Sequence, residues 1–154
     1  QPVCVAFSLV KGQKPELVVQ KLTELGVDHI VVLDADRSVV RWGDEKVQAA
    51  LDRWKRITRE AAMQSHRVRL PTIDGCVRSV DWIVQPEVSI AHFGGGPVAA
   101  LRYRSVAIGP EGGWSEREIE AAGSRTVSLG RTVLRSETAA IAAGTLLTAA
   151  NQRT

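Results

Sequence analysis

Two short polar segments of this sequence combine glycine with groups that can bind or activate a small molecule. The first covers residues 108–113 (IGPEGG), between a strand-like run and a helix. Glycine lets a ligand approach the backbone closely, and the start of a helix offers free N–H groups. Ligands of open α/β sheets bind outside the carboxyl ends of strands. The segment is therefore a candidate binding loop, with a plain glycine turn as the alternative.

The second segment covers residues 128–139 (SLGRTVLRSETA), between a strand-like run and the last apolar helix. Its two arginines, its carboxylate and its hydroxyls make it unusually polar for a short connection. Arg135 and Glu137 could form a plain surface ion pair, which would contribute little to stability. Their position after a strand favours a functional site instead.

A third glycine segment, residues 94–99 (GGGPVA), contains the spacing G-x-G-x-x-A that is typical of dinucleotide-binding turns. Only 12 residues separate His92 from Ser105, which is too few for a turn and a full crossover helix. Pro97 weakens that interpretation further. We therefore predict a flexible loop at residues 94–96 and keep a nicotinamide-dependent oxidoreductase as a rival function.

Composition narrows the class of protein. The 154 residues are 44% apolar and 24% charged, with a net charge of +3 and two cysteines. We expect one domain in a reducing, cytoplasmic setting, without a membrane span or signal peptide. The three histidines are scattered, so no metal is expected. The chain begins at Gln1 in a strand-like run, and we expect it to be a fragment of a longer protein.

Strands and helices alternate in the predicted order. Strands are predicted at 2–9, 29–33, 88–92, 105–108 and 126–129, and helices at 15–25, 44–64, 115–122 and 139–150. Residues 71–75 are predicted as a loop and 80–84 as a short helix or turn. Ser115 and Glu118 form a capping box, with Trp114 and Ile119 at the staple positions. This order predicts an α/β fold with a mostly parallel sheet flanked by helices.

With these segments in place, the sequence resembles the RsmE family of 16S rRNA uridine N3-methyltransferases, in the SPOUT superfamily. The matching segments are 11–12, 20–27, 37–40, 53–54, 60–65, 108–115, 129–130 and 134–140. One departure lies after the long helix, where the family has Glu-Gln-Ser-Gly-Arg. This chain reads Met63-Gln64-Ser65-His66-Arg67 at that place.

The resemblance implies a SPOUT catalytic domain over residues 1–154, with a C-terminal trefoil knot. The N-terminal PUA-like RNA-binding domain of the family would be absent from this chain. The implied reaction is methylation of uridine N3 in the 16S rRNA of the small ribosomal subunit, with S-adenosylmethionine as the donor. The family resemblance also implies a homodimer, and we expect the apolar row Ala140, Ile141, Leu147 and Ala150 of the last helix to contribute to it. A non-catalytic RNA-binding module of the same fold is a second rival.

The resemblance also implies roles for individual residues. Arg135 would stabilise an anion or contact a phosphate, and Glu137 would act as a base or orient Arg135. The implied cofactor contacts are His92, Ile108, Gly109, Gly112, Leu129, Gly130, Leu134, Thr138 and Ala139. The implied RNA contacts are Lys11, Lys14, Lys21 and Arg67, because phosphates favour Lys and Arg.

Overall fold

Strands and helices alternate along the chain in the computed structural model, which describes residues 1–9, 11–12, 14–101 and 103–151 and only the backbone of Ala100. The strands are β1 (Cys4–Ser8), β2 (His29–Asp34), β3 (Thr72–Arg78), β4 (Val88–Pro97), β5 (Ser105–Ile108) and β6 (Thr126–Ser128). The helices are α1 (Lys14–Glu24), α2 (Asp44–Gln64), α3 (Ser79–Ile83), α4 (Glu116–Ala122) and α5 (Ser136–Asn151).

The described strands form one six-stranded sheet in the order β3-β2-β1-β5-β4-β6, and every pairing is parallel. The register of the central pair places Cys4 opposite Ser105 and Phe7 opposite Ile108. Because all strands run the same way, their carboxyl ends lie at one edge of the sheet. The α/β fold with a parallel sheet, predicted from the alternating pattern, is confirmed.

Two apolar cores cover the two faces of this sheet. One contains Trp54 of α2, Leu22 of α1 and Leu147 of α5, all of them buried. The other contains Ile83 of α3 and Trp114, beside the short helix α4. The strands therefore need apolar side chains on both faces, which explains the continuous apolar run of β2.

Two local predictions were wrong. The predicted loop at residues 71–75 falls mostly in β3, which pairs with β2 at the edge of the sheet. The predicted flexible loop at residues 94–96 belongs to β4, where Gly96 pairs with Val127 of β6. After β4, residues 98–100 form a single 3-10 turn rather than a crossover helix, as expected from the short separation.

Two further findings concern the described residues taken together. None of the helices in the described ranges combines the length and apolar content needed to cross a membrane. Within those ranges, no three His, Cys, Asp or Glu side chains are grouped as metal ligands. The trefoil knot stays a prediction from the family resemblance.

Candidate functional site

A cavity of about 650 Å³ lies at the carboxyl ends of β5 and β6, beside the middle of β4, the strand between them. Residues 108–111 form one wall of the cavity and residues 128–130 form another. The two polar segments of the sequence therefore meet here. Ala91, His92 and Phe93, in the middle of β4, add a third side. The remaining wall residues come from the adjoining loops and helices: Arg37, Gly113, Trp114, Glu116, Ile119, Thr132, Val133, Leu134, Arg135, Ser136 and Ala139.

Trp114 fixes the loop that follows β5. Its indole is 4% exposed, and its Nε1 donates a hydrogen bond of 2.9 Å to the carbonyl of Ala91 in β4. A Cβ atom at Gly109 would lie 3.0 Å from the same indole ring. A side chain at this position would crowd the indole, so glycine allows this close packing at the wall of the cavity.

The helix beside the cavity, α4, begins with the predicted capping box. Ser115 accepts a hydrogen bond from the backbone N–H of Glu118, and Glu118 accepts one of 2.7 Å from the N–H of Ser115. The Glu118 carboxylate is fully buried, and it also accepts hydrogen bonds from Ser79 and from the N–H of Asp36. This carboxylate therefore ties α4 to the carboxyl ends of β2 and β3.

Asp36 belongs to the same network. Its carboxylate accepts hydrogen bonds from Nε of Arg117 at 3.0 Å and from the hydroxyl of Ser115 at 2.6 Å. Arg117 and Ser115 together lower the pKa of Asp36 to about 2, because both stabilise the ionised form. The loop after β2 is thereby held against the start of α4.

The segment between β6 and α5 carries the arginine that the sequence marked as functional. Arg135 lines the cavity and is exposed. Across the described ranges, its guanidinium makes no hydrogen bond or ion pair with the protein. Ser128 donates a hydrogen bond of 2.8 Å to the carbonyl of Gly130, and this contact shapes the start of the segment. Arg135 is thus free to contact a ligand or substrate.

Glu137 has a different partner from the one considered at the sequence level. Its Oε1 lies 3.5 Å from Nζ of Lys14, which also lies 3.6 Å from Oε1 of Glu111. The second oxygen, Oε2, is buried and has no hydrogen-bond partner in the described part of the chain. Lys14 therefore links α1 to both polar segments, and the ion pair between Arg135 and Glu137 is not formed.

The structure brings most of the sequence-predicted cofactor residues together. Seven of them line the cavity: His92, Ile108, Gly109, Leu129, Gly130, Leu134 and Ala139. Gly112 and Thr138 do not line it. The carbonyl of Gly112 instead accepts a hydrogen bond of 3.4 Å from Arg37.

The four predicted RNA contacts are less uniform. Lys11 is exposed, Lys14 is engaged as described, and Lys21 pairs with Glu24 at 3.0 Å. The Arg67 side chain is only 13% exposed, and it donates hydrogen bonds to the carbonyls of Thr23 and Val27. Burial lowers the pKa of Arg67. These contacts give Arg67 a place in the fold rather than on a binding surface.

Sequence reasoning did not assign several cavity residues to the site, namely Arg37, Phe93, Trp114, Glu116 and Ile119. The sequence places Trp114 in a segment that matches the RsmE family, and it places Trp114 and Ile119 at the staple positions of α4, without assigning either to the site. Phe93 had a usable signal, because it is an aromatic residue directly after the buried part of β4, and it is 65% exposed.

Comparison with known proteins gives a consistent family. A family model for the RNA methyltransferase domain matches residues 1–148. The chain is 35% identical to ribosomal RNA small subunit methyltransferase E of Mycobacterium tuberculosis, over 92% of this chain and 61% of the relative. It is 34% identical to the protein of that name from Bacillus subtilis, over 89% and 61%. The chain thus spans about three fifths of the length of these curated relatives.

Solved structures agree with the sequence matches. A putative methyltransferase of Legionella pneumophila in complex with bound S-adenosylmethionine superposes with a TM-score of 0.87 at 31% identity, over 97% of this chain and 67% of that one. Ribosomal RNA small subunit methyltransferase E of Neisseria gonorrhoeae, bound to S-adenosylmethionine, superposes with a TM-score of 0.82 at 28% identity. That match covers 99% of this chain and 65% of the other.

Proposed function

Because the chain belongs to the RNA methyltransferase domain family, as its resemblance to the RsmE family predicted, we propose that it methylates N3 of a uridine in 16S rRNA of the small ribosomal subunit, with S-adenosylmethionine as the donor. The observation that carries this proposal is the cavity at the ends of β5 and β6 and beside the middle of β4, with the unpaired Arg135 at its wall. A reaction on ribosomal RNA would also place the protein in the cytoplasm.

The cavity suits S-adenosylmethionine in size and in lining. Small-molecule sites have volumes of roughly 300–1,000 Å³ and mostly apolar walls with a few polar groups, and this cavity has about 650 Å³. Ile108, Leu129 and Leu134 offer apolar side chains for a purine ring. Gly109 and Gly130 offer backbone that a ligand can approach closely. These residues would hold the donor.

The chain's own contribution to the reaction is positioning and charge. S-adenosylmethionine supplies a methyl group that is already activated by its positively charged sulfur. Uridine N3 carries a proton and becomes a nucleophile only when that proton leaves. A positive charge fixed near the ring stabilises the anion that remains. We assign this task to Arg135, whose guanidinium has no competing partner in the described residues.

Glu137 fits a positioning role better than that of a base. It is not among the residues that line the cavity, and its carboxylate is held by Lys14. Lys14 also reaches Glu111, so the two ion pairs join α1, the loop after β5 and the start of α5. This arrangement supports the geometry of the walls between which Arg135 lies. The N3 proton is then released to water.

The finer proposals on assembly rest on α5. Of the apolar row expected at a dimer interface, Ala140 and Leu147 are buried within the chain itself. Ala150 is exposed, Ile141 is half-buried, and Leu146 is 41% exposed. We retain a homodimer as a proposal, with Ile141 and Leu146 rather than Ala140 and Leu147 at the interface. Light scattering that finds a monomer at micromolar concentration would contradict it.

Two measurements test the function. Isothermal titration should show binding of S-adenosylmethionine and of S-adenosylhomocysteine to the 154-residue chain, and no binding of NAD. Transfer of labelled methyl groups to isolated small ribosomal subunits, followed by nucleoside analysis, should give N3-methyluridine. Cofactor binding without any methyl transfer would favour a non-catalytic RNA-binding module, and binding of NAD instead would favour the oxidoreductase.

A further inference from the structure

A second, polar cavity of about 310 Å³ lies at the carboxyl ends of β2 and β3. Its charged lining consists of Arg41, Arg78, Arg117, Asp34 and Asp36. These side chains carry three positive and two negative charges, and the buried Glu118 carboxylate, which Ser79 and the N–H of Asp36 bind, lies directly behind them. An arginine of this lining that has no carboxylate partner can bind an anion with its N–H groups.

Among the described residues, Arg78 is the arginine of the lining that has no carboxylate within ion-pair distance. Nη1 of Arg41 lies 2.7 Å from Oδ1 of Asp34, and Arg117 pairs with Asp36. Arg78 is exposed, and its guanidinium has no hydrogen bond or ion pair among the residues that the structure describes. The two neighbouring arginines are therefore each paired with a carboxylate, whereas Arg78 acts on Asp36 only through its charge and keeps its N–H groups unpaired within the described ranges.

Other arginines of the chain show what a structural guanidinium looks like here. Arg125 donates hydrogen bonds to the carbonyls of Ile83, Gln85, Val88 and Ala121. Such contacts use the planar set of donors to satisfy backbone groups between elements. Arg78 makes none of these contacts, so its N–H groups are left for a ligand.

The polar cavity adjoins the proposed methyl-transfer cavity. Asp36 lines the polar cavity, and the next residue, Arg37, lines the other. The same division recurs at the start of α4, where Glu116 lines the methyl-transfer cavity and Arg117 lines the polar one. A chain molecule whose base enters one cavity therefore has its backbone within reach of the other.

We propose that Arg78, supported by Arg41 and Arg117, binds a backbone phosphate of the RNA strand whose base occupies the methyl-transfer cavity. This inference rests on the proposed function and names a contact for its substrate. Guanidinium groups bind phosphate with two parallel hydrogen bonds. Contacts of this kind position a nucleic acid without reading its sequence. Arg78 thus fixes the register of the strand and leaves the choice of base to the neighbouring cavity.

The test compares Arg78→Ala with Arg56→Ala in the 154-residue chain. Arg56 is an exposed arginine of α2, so the two variants lose the same charge. The affinity for a labelled single-stranded RNA oligonucleotide is measured by fluorescence anisotropy at several salt concentrations. A lost phosphate contact lowers the slope of log K against log salt by about 0.7 for a single strand. Arg78→Ala should show this decrease and bind several-fold more weakly, whereas Arg56→Ala should match the unchanged chain.

Two further measurements complete the design. Arg78→Lys should keep most of the salt dependence, because it keeps the charge and loses only the paired donors. Inorganic phosphate added at millimolar concentration should not abolish RNA binding, because the site holds one phosphate of a longer chain. If Arg78→Ala and Arg56→Ala have the same RNA affinity and slope, the inference is wrong. Saturable binding of free phosphate to Arg78, with no effect on RNA, would also overturn it. Titration with S-adenosylmethionine tests the proposed function separately in the same variants.

Discussion

The hydroxyl of Ser136 donates a hydrogen bond of 2.9 Å to the carbonyl of Gly109. These two residues lie 27 positions apart, in the two polar segments that the sequence marked as functional. Ser8 donates a bond of the same length to the carbonyl of the preceding residue, Ile108. The end of β5 is thus held by hydroxyls from β1 and α5. The two segments form opposite walls of one cavity. A substitution in either segment should therefore change the binding of a ligand in that cavity.

Gly130→Val should abolish binding of S-adenosylmethionine without unfolding the chain. A Cβ atom at Gly130 would meet no atom within 4 Å, and Gly130 lines the proposed donor cavity. The valine side chain therefore has room in the protein but occupies space proposed for the ligand. The free energy of unfolding should change by less than about 0.5 kcal/mol, as for an ordinary surface substitution. Calorimetric titration measures the loss of binding.

Gly43→Val is the matched control for this variant. A Cβ atom at Gly43 also meets nothing within 4 Å, but Gly43 precedes α2 and does not line the cavity. This variant should bind S-adenosylmethionine like the unchanged chain. Normal affinity in a folded Gly130→Val protein would contradict the proposed position of the donor.

Arg135→Ala should slow methyl transfer far more than it weakens donor binding. Removing one preorganised group that stabilises a developing anion typically lowers kcat by roughly a hundred- to a thousandfold. Arg131→Ala is the control, since Arg131 is an exposed arginine of the same segment that does not line the cavity. Single-turnover transfer to small ribosomal subunits, with donor affinity measured alongside, separates the two effects. An Arg135→Ala protein that lost donor affinity and kept its rate on saturation would show that Arg135 holds the donor instead.

Asp36 should make stability depend on pH in acid. Its pKa is about 2, below its usual value of 3.8, because Arg117 and Ser115 stabilise the ionised carboxylate. This contribution is complete above about pH 4 and is lost as the pH falls through about 2. Asp36→Asn should therefore lower the urea midpoint at pH 6, and the difference in midpoint from the unchanged chain should shrink between pH 4 and pH 2.

Asp52→Asn, on the exposed face of α2, is the control and should lower the urea midpoint at pH 6 by much less. An Asp36→Asn deficit that stayed constant down to pH 2 would contradict the assignment.

Much of the fold could be predicted because the local signals and the tertiary contacts agree. In α2, the apolar positions with helical spacing include Ala50, Trp54 and Ala61, and all three are buried. The meeting of the two polar segments followed from one topological fact, since carboxyl ends of parallel strands share an edge. Seven of the nine residues that the family resemblance implied for cofactor binding line this cavity.

The features that could not be predicted depend on contacts between distant residues. In β3, the Asp74-Gly75 pair resembles a turn, and only pairing with β2 makes the segment a strand. A Cβ atom at Gly95 would lie 2.7 Å from the backbone of Val127, so this glycine serves close packing against β6 rather than flexibility. The ion pair of Lys14 with Glu137 joins the two ends of the chain, and no local pattern indicates it.

His66→Gly should stabilise the chain. His66 has a φ of 57°, in the left-handed region that glycine adopts without strain. His66 follows the C-cap of α2. The RsmE family has glycine at the matching position, so the histidine of this chain is a strained substitution there. Strain of this kind costs about 1 kcal/mol or more, and the extra freedom of glycine in the unfolded chain offsets part of the gain. The free energy of unfolding, measured by urea titration, should therefore rise by about 0.5–1 kcal/mol.

His66→Ala is the matched control, because alanine removes the imidazole and keeps the strained backbone. It should leave stability unchanged or lower it. If alanine stabilised the chain as much as glycine does, the cost at this position would come from the imidazole and not from the backbone.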